Sequence, residues 1–147
     1  MSKTYGMAGW RLGFALGNAE LVRRIDTLQD HAFAGIFLPV QEAGIAALTG
    51  PQESVEERRA TYERRRDRAL AALGGLEARS EGTFFVWFRL PDGVSVERIL
   101  AEHRVALAPG EGFGARGAGW ARLSLAVTDE TLDRGLERLR PVLSAVR

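Results

Sequence analysis

The sequence contains no cysteine, and its 147 residues carry almost no net charge. The absence of thiols excludes disulfide bonds, thiolate catalysis and thiolate metal sites, and we predict no metal site of any kind. Basic residues number 20 and acidic residues 19, so the formal net charge is +1. This balance provides no overall field that would attract nucleic acid or an anionic membrane surface. We therefore expect neither as a partner.

Long hydrophobic runs are also missing. The apolar stretches "GIFLPV" (35–40) and "TFFVWF" (83–88) are far shorter than the ~20 residues that a transmembrane helix requires. The first residues show no basic region followed by an apolar core, so we expect a cytoplasmic protein. Hydrophobic residues make up 46% of the chain, which is enough for a folded core in a domain of ordinary size.

The first half of the chain predicts one strand followed by helices. The apolar run "WRLGFALG" (10–17), bounded by glycines, predicts a buried strand. Asn18 is a candidate N-cap for a helix whose apolar residues Leu21, Ile25 and Leu28 recur at helical spacing. Pro39 can open a second helix. Pro51 to Leu73 reads as a long, highly charged helix, which we expect to lie across a surface.

The second half alternates strand and helix signals after the glycine pair at 74 and 75. We predict strands in "TFFVWFRL" (83–90), "VALAP" (105–109) and "WARLSLAV" (120–127). Ser95 and Thr128 are candidate caps for two helices. The second of these helices has an apolar stripe formed by Leu132, Leu136, Leu139, Leu143 and Val146. From Leu76 onward we expect a compact α+β sandwich with helices on one face of the sheet.

One N-terminal motif carries a chemical signal. In "SKTYGMAGWRLG" the residues Lys3, Gly9, Arg11 and Gly13 follow the spacing S-K-x-x-x-x-x-G-x-R-x-G. This pattern resembles the cofactor-lysine signature of the fold-type I pyridoxal-phosphate-dependent aminotransferases of class I and II. The resemblance implies that Lys3 binds the cofactor covalently and serves as the catalytic base. It also implies that Arg11 holds the cofactor phosphate, with Ser2 as a further cofactor-binding residue.

A second motif lies near the end of the chain. "GWARLSLA" follows a "PGEGFG" loop and resembles the late strand on which these enzymes carry the arginine that binds the substrate carboxylate. The matching residue is Arg122. Taken without the first motif, Arg122 reads as an outward-facing arginine of a strand.

The resemblance covers essentially the whole chain and implies an α/β fold with a division into parts. Residues 1–50 correspond to a remnant of the large cofactor-binding domain, including one strand and its helices. Residues 51–73 form the linking helix, and residues 74–147 form the small C-terminal α+β domain. The groups that contact the cofactor ring in such enzymes have no counterpart that we identify here, so we expect an incomplete cofactor site.

Two functions are compatible with these observations. In the first, the chain is the C-terminal part of an aminotransferase that moves an amino group between an amino acid and a 2-oxo acid, and it is inactive alone. In the second, it is a non-catalytic, stand-alone binding or assembly domain derived from that fold. In both cases a strand at 10–17 would expose an unpaired edge, so we expect a homo-oligomer or association with a missing N-terminal half.

Other candidate residues have simpler interpretations. Tyr5 either contacts the cofactor or substrate, or it packs within its loop. His31 and His103 stand apart from any acid or nucleophile at a recognisable spacing, and we interpret both as surface residues. The segment "ERRATYERRRDR" (57–68) interleaves basic and acidic residues, which favours a solvated face with salt bridges over a site for a phosphate-rich partner.

Overall fold

The structure is a computed structural model that describes residues 1–144, so Val146 of the predicted stripe lies outside the described residues. The chain forms two compact units, the first from Met1 to Glu57 and the second from Arg58 to the end of the chain. The described elements are helices and one small antiparallel sheet. This architecture confirms the predicted α/β class.

The first unit contains two complete helices and the beginning of a third. These are α1 (Ala19–Phe33), α2 (Leu38–Thr49) and α3 (Glu53–Leu73), which ends in the second unit. The side chain of Asn18 accepts hydrogen bonds from the backbone N–H groups of Glu20 and Leu21 at 2.9 and 3.2 Å, as expected of an N-cap. Pro39 is in the first turn of α2, where its missing N–H costs no helical hydrogen bond.

The predicted strand at 10–17 is wrong. Trp10 ends a short 3₁₀-helix (Ala8–Trp10), and residues 12–16 have no regular secondary structure. A strand needs a neighbour that accepts and donates backbone hydrogen bonds, and all four described strands belong to the second unit. Three large apolar side chains of this segment are exposed, Trp10 at 50%, Phe14 at 62% and Leu16 at 87%, while Leu12 is half-buried. The remnant strand of the predicted organisation is therefore absent from the described residues.

The second unit is built on a four-stranded antiparallel sheet. Its strands are β1 (Ala78–Arg79), β2 (Phe85–Arg89), β3 (Ala108–Pro109) and β4 (Trp120–Ser124), in the order β1-β2-β4-β3. The two central strands are confirmed with shorter bounds, β2 in the middle of the predicted 83–90 and β4 in the first five residues of the predicted 120–127. The strand expected at 105–109 is reduced to its last two residues. β1 was not predicted, because two residues are too few to show an alternating pattern.

Two further helices complete the unit. In α4 (Val96–His103) the hydroxyl of Ser95 accepts a hydrogen bond from the Arg98 N–H at 3.3 Å. In α5 (Asp129–Ser144) the hydroxyl of Thr128 accepts one from the Thr131 N–H at 3.2 Å. Both predicted caps are confirmed.

The core lies on one face of the sheet. Val86 and Phe88 of β2 and Ala121 and Leu123 of β4 are buried there, while the residues between them point to the other face. Helices α3, α4 and α5 cover this face with Ala69, Leu73, Ile99, Leu132, Leu136 and Leu139. The other face of the sheet carries Trp87 and Arg122, which belong to the candidate site described below.

Two arginines of α3 bind the beginning of α5. Arg65 donates from Nε to a carboxylate oxygen of Asp129 at 2.8 Å, and Arg68 reaches the same oxygen at 2.6 Å and Asp133 at 3.1 Å. The hydrogen bond from Arg65, with its charge and that of Arg68, holds the pKa of the Asp129 carboxyl below its ordinary range. These pairs tie the two helices together at the edge of the core.

We expect Asp129→Asn to lower the free energy of unfolding at pH 7. The folded state lowers the pKa of Asp129, so its contribution is complete above the unfolded pKa and is lost as the pH falls through the folded value. The difference between the variant and the unsubstituted chain should therefore shrink as the pH falls below about 4. Chemical denaturation across pH measures it, with Glu137→Gln, exposed on the same helix, as the control. A difference that stays constant down to about pH 2 would contradict the assignment.

Candidate functional site

The predicted cofactor residues Ser2, Lys3 and Arg11 belong to one loop at the start of the first unit, the lysine loop (1–13). A backbone hydrogen bond from the Tyr5 N–H to the Met1 carbonyl, 3.1 Å long, closes a turn that contains Ser2 and Lys3. Lys3 is exposed, and it is the only lysine in the sequence. Every other basic side chain, histidine apart, is an arginine, so the loop carries the chain's single side-chain amine.

Arg11 follows the 3₁₀-helix of the same loop. Its backbone adopts the left-handed conformation, with φ of 51°, and its guanidinium donates a hydrogen bond back to the Ala8 carbonyl at 3.2 Å. Within the described residues its remaining N–H groups have no protein partner. The loop therefore carries a primary amine on Lys3, which can react with a carbonyl carbon. It also carries the planar guanidinium of Arg11, whose remaining N–H groups can bind a phosphate.

Tyr5 fixes the lysine loop to the beginning of α3. Its hydroxyl donates a hydrogen bond to the side-chain oxygen of Gln52 at 3.0 Å. The amide nitrogen of Gln52 donates in turn to the carbonyls of Ala47 and Gly50, at 3.0 and 2.8 Å. This network gives Tyr5 a structural role through a hydrogen bond, and its contact with the cofactor or substrate stays a prediction. Sequence reasoning missed Gln52, because a contact 47 residues away leaves no local pattern.

The side chain of Leu12, near the end of the lysine loop, packs against Gly44 of α2. Gly44 is buried, and a Cβ at this position would overlap the side chain of Leu12 and lie 3.8 Å from the terminal carbon of Met1. Met7, which is 7% exposed, is the one buried residue of the loop, and Leu12 is half-buried. The sequence signal that could have identified this contact is a glycine in a helix interior, which usually has a packing reason.

Arg122 belongs to the second unit and lies in the centre of the sheet. Its Cα pairs with Trp87 of β2 and with Ala108 of β3. Its side chain points away from the core, and its guanidinium carbon lies 4.1 Å from the ring centre of Phe85 and 4.6 Å from that of Phe113. Among the residues that the structure describes, Arg122 has no hydrogen bond or ion pair. It is therefore an outward-facing strand arginine whose donors are available to a ligand.

His31 lies on the surface as the sequence indicated, whereas His103 is partly buried. His31 is exposed on α1, with Nδ1 2.8 Å from the Thr27 carbonyl. His103 is at the end of α4, with Nε2 3.9 Å from a Glu102 carboxylate oxygen. Both contacts are local to their own helices, so neither histidine joins the lysine loop or Arg122 through a described interaction.

The sequence profile of the family described as aminotransferase class I and II matches residues 1–139. The chain belongs to this family. It is 39% identical, over 99% of its length, to an LL-diaminopimelate aminotransferase of Moorella thermoacetica. It is also 40% identical, over 95% of its length, to an L-glutamine–4-(methylsulfanyl)-2-oxobutanoate aminotransferase of Bacillus subtilis.

Solved structures of this family have the same fold. An aminotransferase from Staphylococcus aureus superposes on the whole chain with a TM-score of 0.92 and 34% identity. A probable N-succinyldiaminopimelate aminotransferase from Thermus thermophilus superposes on 96% of it with a TM-score of 0.87 and 36% identity. These findings confirm the resemblance to fold-type I aminotransferases.

The chain is shorter than these relatives. It spans 39% of the length of the Moorella enzyme and 41% of the Staphylococcus structure, which corresponds to a C-terminal portion of such a protein. None of the helices in the described part combines the length and the apolar character needed to cross a membrane. Because the chain spans only this part of its relatives, we treat their activity as a proposal for it.

We expect Tyr5→Phe to loosen the lysine loop without disturbing the sheet. Losing one hydrogen bond of ordinary strength should raise the exchange rates of amide hydrogens in residues 1–13 by about two- to tenfold. Amides of β2 and β4 should keep their rates. Hydrogen exchange followed by mass spectrometry measures both, and Tyr62→Phe in α3 is the matched control. Unchanged exchange in residues 1–13 would show that the Tyr5–Gln52 contact does not hold the loop.

Proposed function

We propose that this chain supplies the catalytic lysine and the carboxylate-binding arginine of a pyridoxal-phosphate-dependent aminotransferase. The whole enzyme would move an amino group between an amino acid and a 2-oxo acid. The observation that carries the proposal is the family match over residues 1–139, which includes the lysine loop and Arg122. The relatives named above are aminotransferases, which supports this reaction class and leaves the particular substrate open.

The chemistry of the lysine loop fits pyridoxal phosphate. Lys3 offers the only side-chain amine of the chain for covalent attachment to the cofactor aldehyde, and Arg11 offers a planar donor for its phosphate. Ser2, beside Lys3, adds a hydroxyl that can donate or accept. When bound, the cofactor supplies an electron sink for the negative charge that develops at the substrate α-carbon.

The remaining steps fall to side chains of this chain. Lys3 Nζ would act as the base that takes the proton from the substrate α-carbon and as the acid that returns it one step later. Arg122 would bind the substrate carboxylate through two parallel N–H donors, which fixes the orientation of the bond to be broken. Arg122 suits this role because none of the described protein groups occupies its donors.

We infer that the chain alone has no appreciable transaminase activity. It spans about two-fifths of the length of its relatives, and we identify in it no counterpart of the residues that contact the cofactor ring in such enzymes. Large apolar side chains of the first unit are exposed, and these include Trp10, Phe14, Leu16, Leu21, Leu28, Phe33 and Phe37. Such a surface requires a cover, which the remaining part of the family fold would provide.

The same exposed surface favours a second candidate, a non-catalytic binding or assembly domain that associates through its first unit. The two candidates differ in what Lys3 and Arg122 do. Only the enzyme requires both side chains for turnover. Association requires the apolar surface and tolerates changes at either residue.

A chimera tests the proposal. We expect the chain to give transaminase activity when it replaces the corresponding C-terminal portion of the Moorella relative, because that protein supplies the missing part of the fold. In the chimera, Lys3→Ala should abolish turnover. Arg122→Lys should raise KM for carboxylate substrates about tenfold or more, because a lysine cannot form the bidentate contact. Arg116→Lys, in an exposed loop of the same unit, is the control.

Two results would contradict the proposal. A folded chimera in which Lys3→Ala keeps its turnover would remove Lys3 from the reaction. Equal kinetics for Arg122→Lys and the unsubstituted chimera would remove Arg122 from the site. Steady-state assays with an amino acid donor and 2-oxoglutarate as acceptor measure both.

A further inference from the structure

Two phenylalanine rings contact the guanidinium of Arg122. Its guanidinium carbon is 4.1 Å from the ring centre of Phe85 and 4.6 Å from that of Phe113, both well inside the ~6 Å range of cation–π contact. No carboxylate or carbonyl oxygen among the described residues accepts from it. The guanidinium is thus packed without losing its hydrogen-bond donors.

The sheet positions the ring of Phe85. Phe85 and Trp87 alternate along β2 with Val86 and Phe88, which are buried in the core, so the rings of Phe85 and Trp87 lie on the face that carries Arg122. Trp87 stacks on Trp120 of β4, with ring centres 5.9 Å apart and planes 14° apart. The register of β2 and β4 therefore gives this face a row of rings beside the arginine.

The second ring comes from the glycine-rich loop. Phe113 is 56% exposed, yet one side of it contacts Arg122 and its ring meets Trp87 edge-on at 5.5 Å and 87°. An exposed phenylalanine gains little from burial, so its place depends on how the loop is held.

The base of that loop closes through two glycines. A Cβ on Gly110 would collide with the carbonyl oxygen of Gly117, and a Cβ on Gly117 would collide with that of Gly110. The two backbones can approach this closely only without side chains. The backbone N–H of Gly119 also donates to the Glu111 carboxylate at 3.4 Å. The loop is thereby fixed on both sides of Phe113.

We propose that Phe85 and Phe113 are positioning residues that hold the Arg122 guanidinium in the orientation that receives the substrate carboxylate. This inference rests on the proposed carboxylate-binding role of Arg122. A free arginine side chain loses much rotamer entropy when it is fixed by a ligand. Two ring contacts restrict those rotamers before the ligand arrives, and the rings leave the N–H edge open because they contact the guanidinium carbon through their faces.

The rings should also set the strength of carboxylate binding. A cation–π contact at a partly exposed site contributes about 0.5–1 kcal/mol. Removing one ring should therefore weaken the binding of a small carboxylate to Arg122 by about two- to fivefold. Removing the charge by Arg122→Gln should abolish the binding.

The test uses the full chain with isotope-labelled arginine, observed by NMR at the side-chain N–H group of Arg122, which Arg122→Gln identifies. Ring currents should shift this signal away from those of the other arginines. Phe85→Leu and Phe113→Leu should each move it back, whereas Phe113→Tyr, which keeps the ring, should not. Phe33→Leu removes a similarly exposed ring at the end of α1 and serves as the control. Amide signals of β2 and β4 report that each variant is folded.

Sodium propionate is the probe for binding, with propionamide as the uncharged comparison. We expect the Arg122 signal to respond saturably to propionate alone, with about two- to fivefold weaker binding in Phe85→Leu and Phe113→Leu. A signal and an affinity that are unchanged in both leucine variants would overturn the positioning role. An Arg122 signal that shifts when a ring is removed but does not change with propionate would instead overturn the carboxylate-binding role of Arg122. The positioning role depends on that role.

Gly110→Ala gives an independent check through the loop. The added Cβ meets backbone, which cannot move aside as a side chain would, so Phe113 should leave the guanidinium and the Arg122 signal should shift as in Phe113→Leu. Gly112→Ala is the matched control, because a Cβ there meets nothing within 4 Å. An Arg122 signal that is the same in both glycine variants of the folded chain would count against the proposed role of the loop.

Discussion

The pairing of β2 with β4 is the interaction on which the second unit depends. Its register places Val86 and Phe88 opposite Leu123 and Ala121 on the core face. The same register sends Trp87 and Arg122 to the other face, because side chains alternate along a strand. A shift of one residue would put the arginine into the core and the core residues into solvent. Stability and the candidate carboxylate site therefore come from one set of backbone hydrogen bonds.

The first unit is organised differently. Its lysine loop is held by a few specific contacts, the Tyr5–Gln52 hydrogen bond and the packing of Leu12 on Gly44, and very little of its apolar surface is buried. In the proposed enzyme the remaining part of the family fold would cover this surface and complete the cofactor site. The unit would then provide chemistry, through Lys3 and Arg11, and depend on its surroundings for stability.

Structural features set by neighbouring residues could be predicted from the sequence, and contacts between distant residues could not. The caps at Asn18, Ser95 and Thr128 were predicted correctly because each acts on backbone N–H groups two or three residues away. The strand at 10–17 was wrong because an apolar run becomes a strand only beside a partner strand. For the same reason the contact of Phe113 with Arg122 has no sequence signature. Lys3, Arg11 and Arg122 are proposed as site residues from their motifs alone.

The most direct test of the central claim is whether Lys3 is the residue that takes up pyridoxal phosphate. The test uses the chimera with the Moorella relative, in which Lys3 is the only lysine that this chain contributes, so borohydride reduction followed by peptide mapping separates its label from that of the Moorella portion. We expect the reduced cofactor on Lys3, with less label in Arg11→Ala because the phosphate contact is lost. A folded chimera with no label on Lys3, or with equal labelling in Arg11→Ala, would contradict the proposed cofactor site.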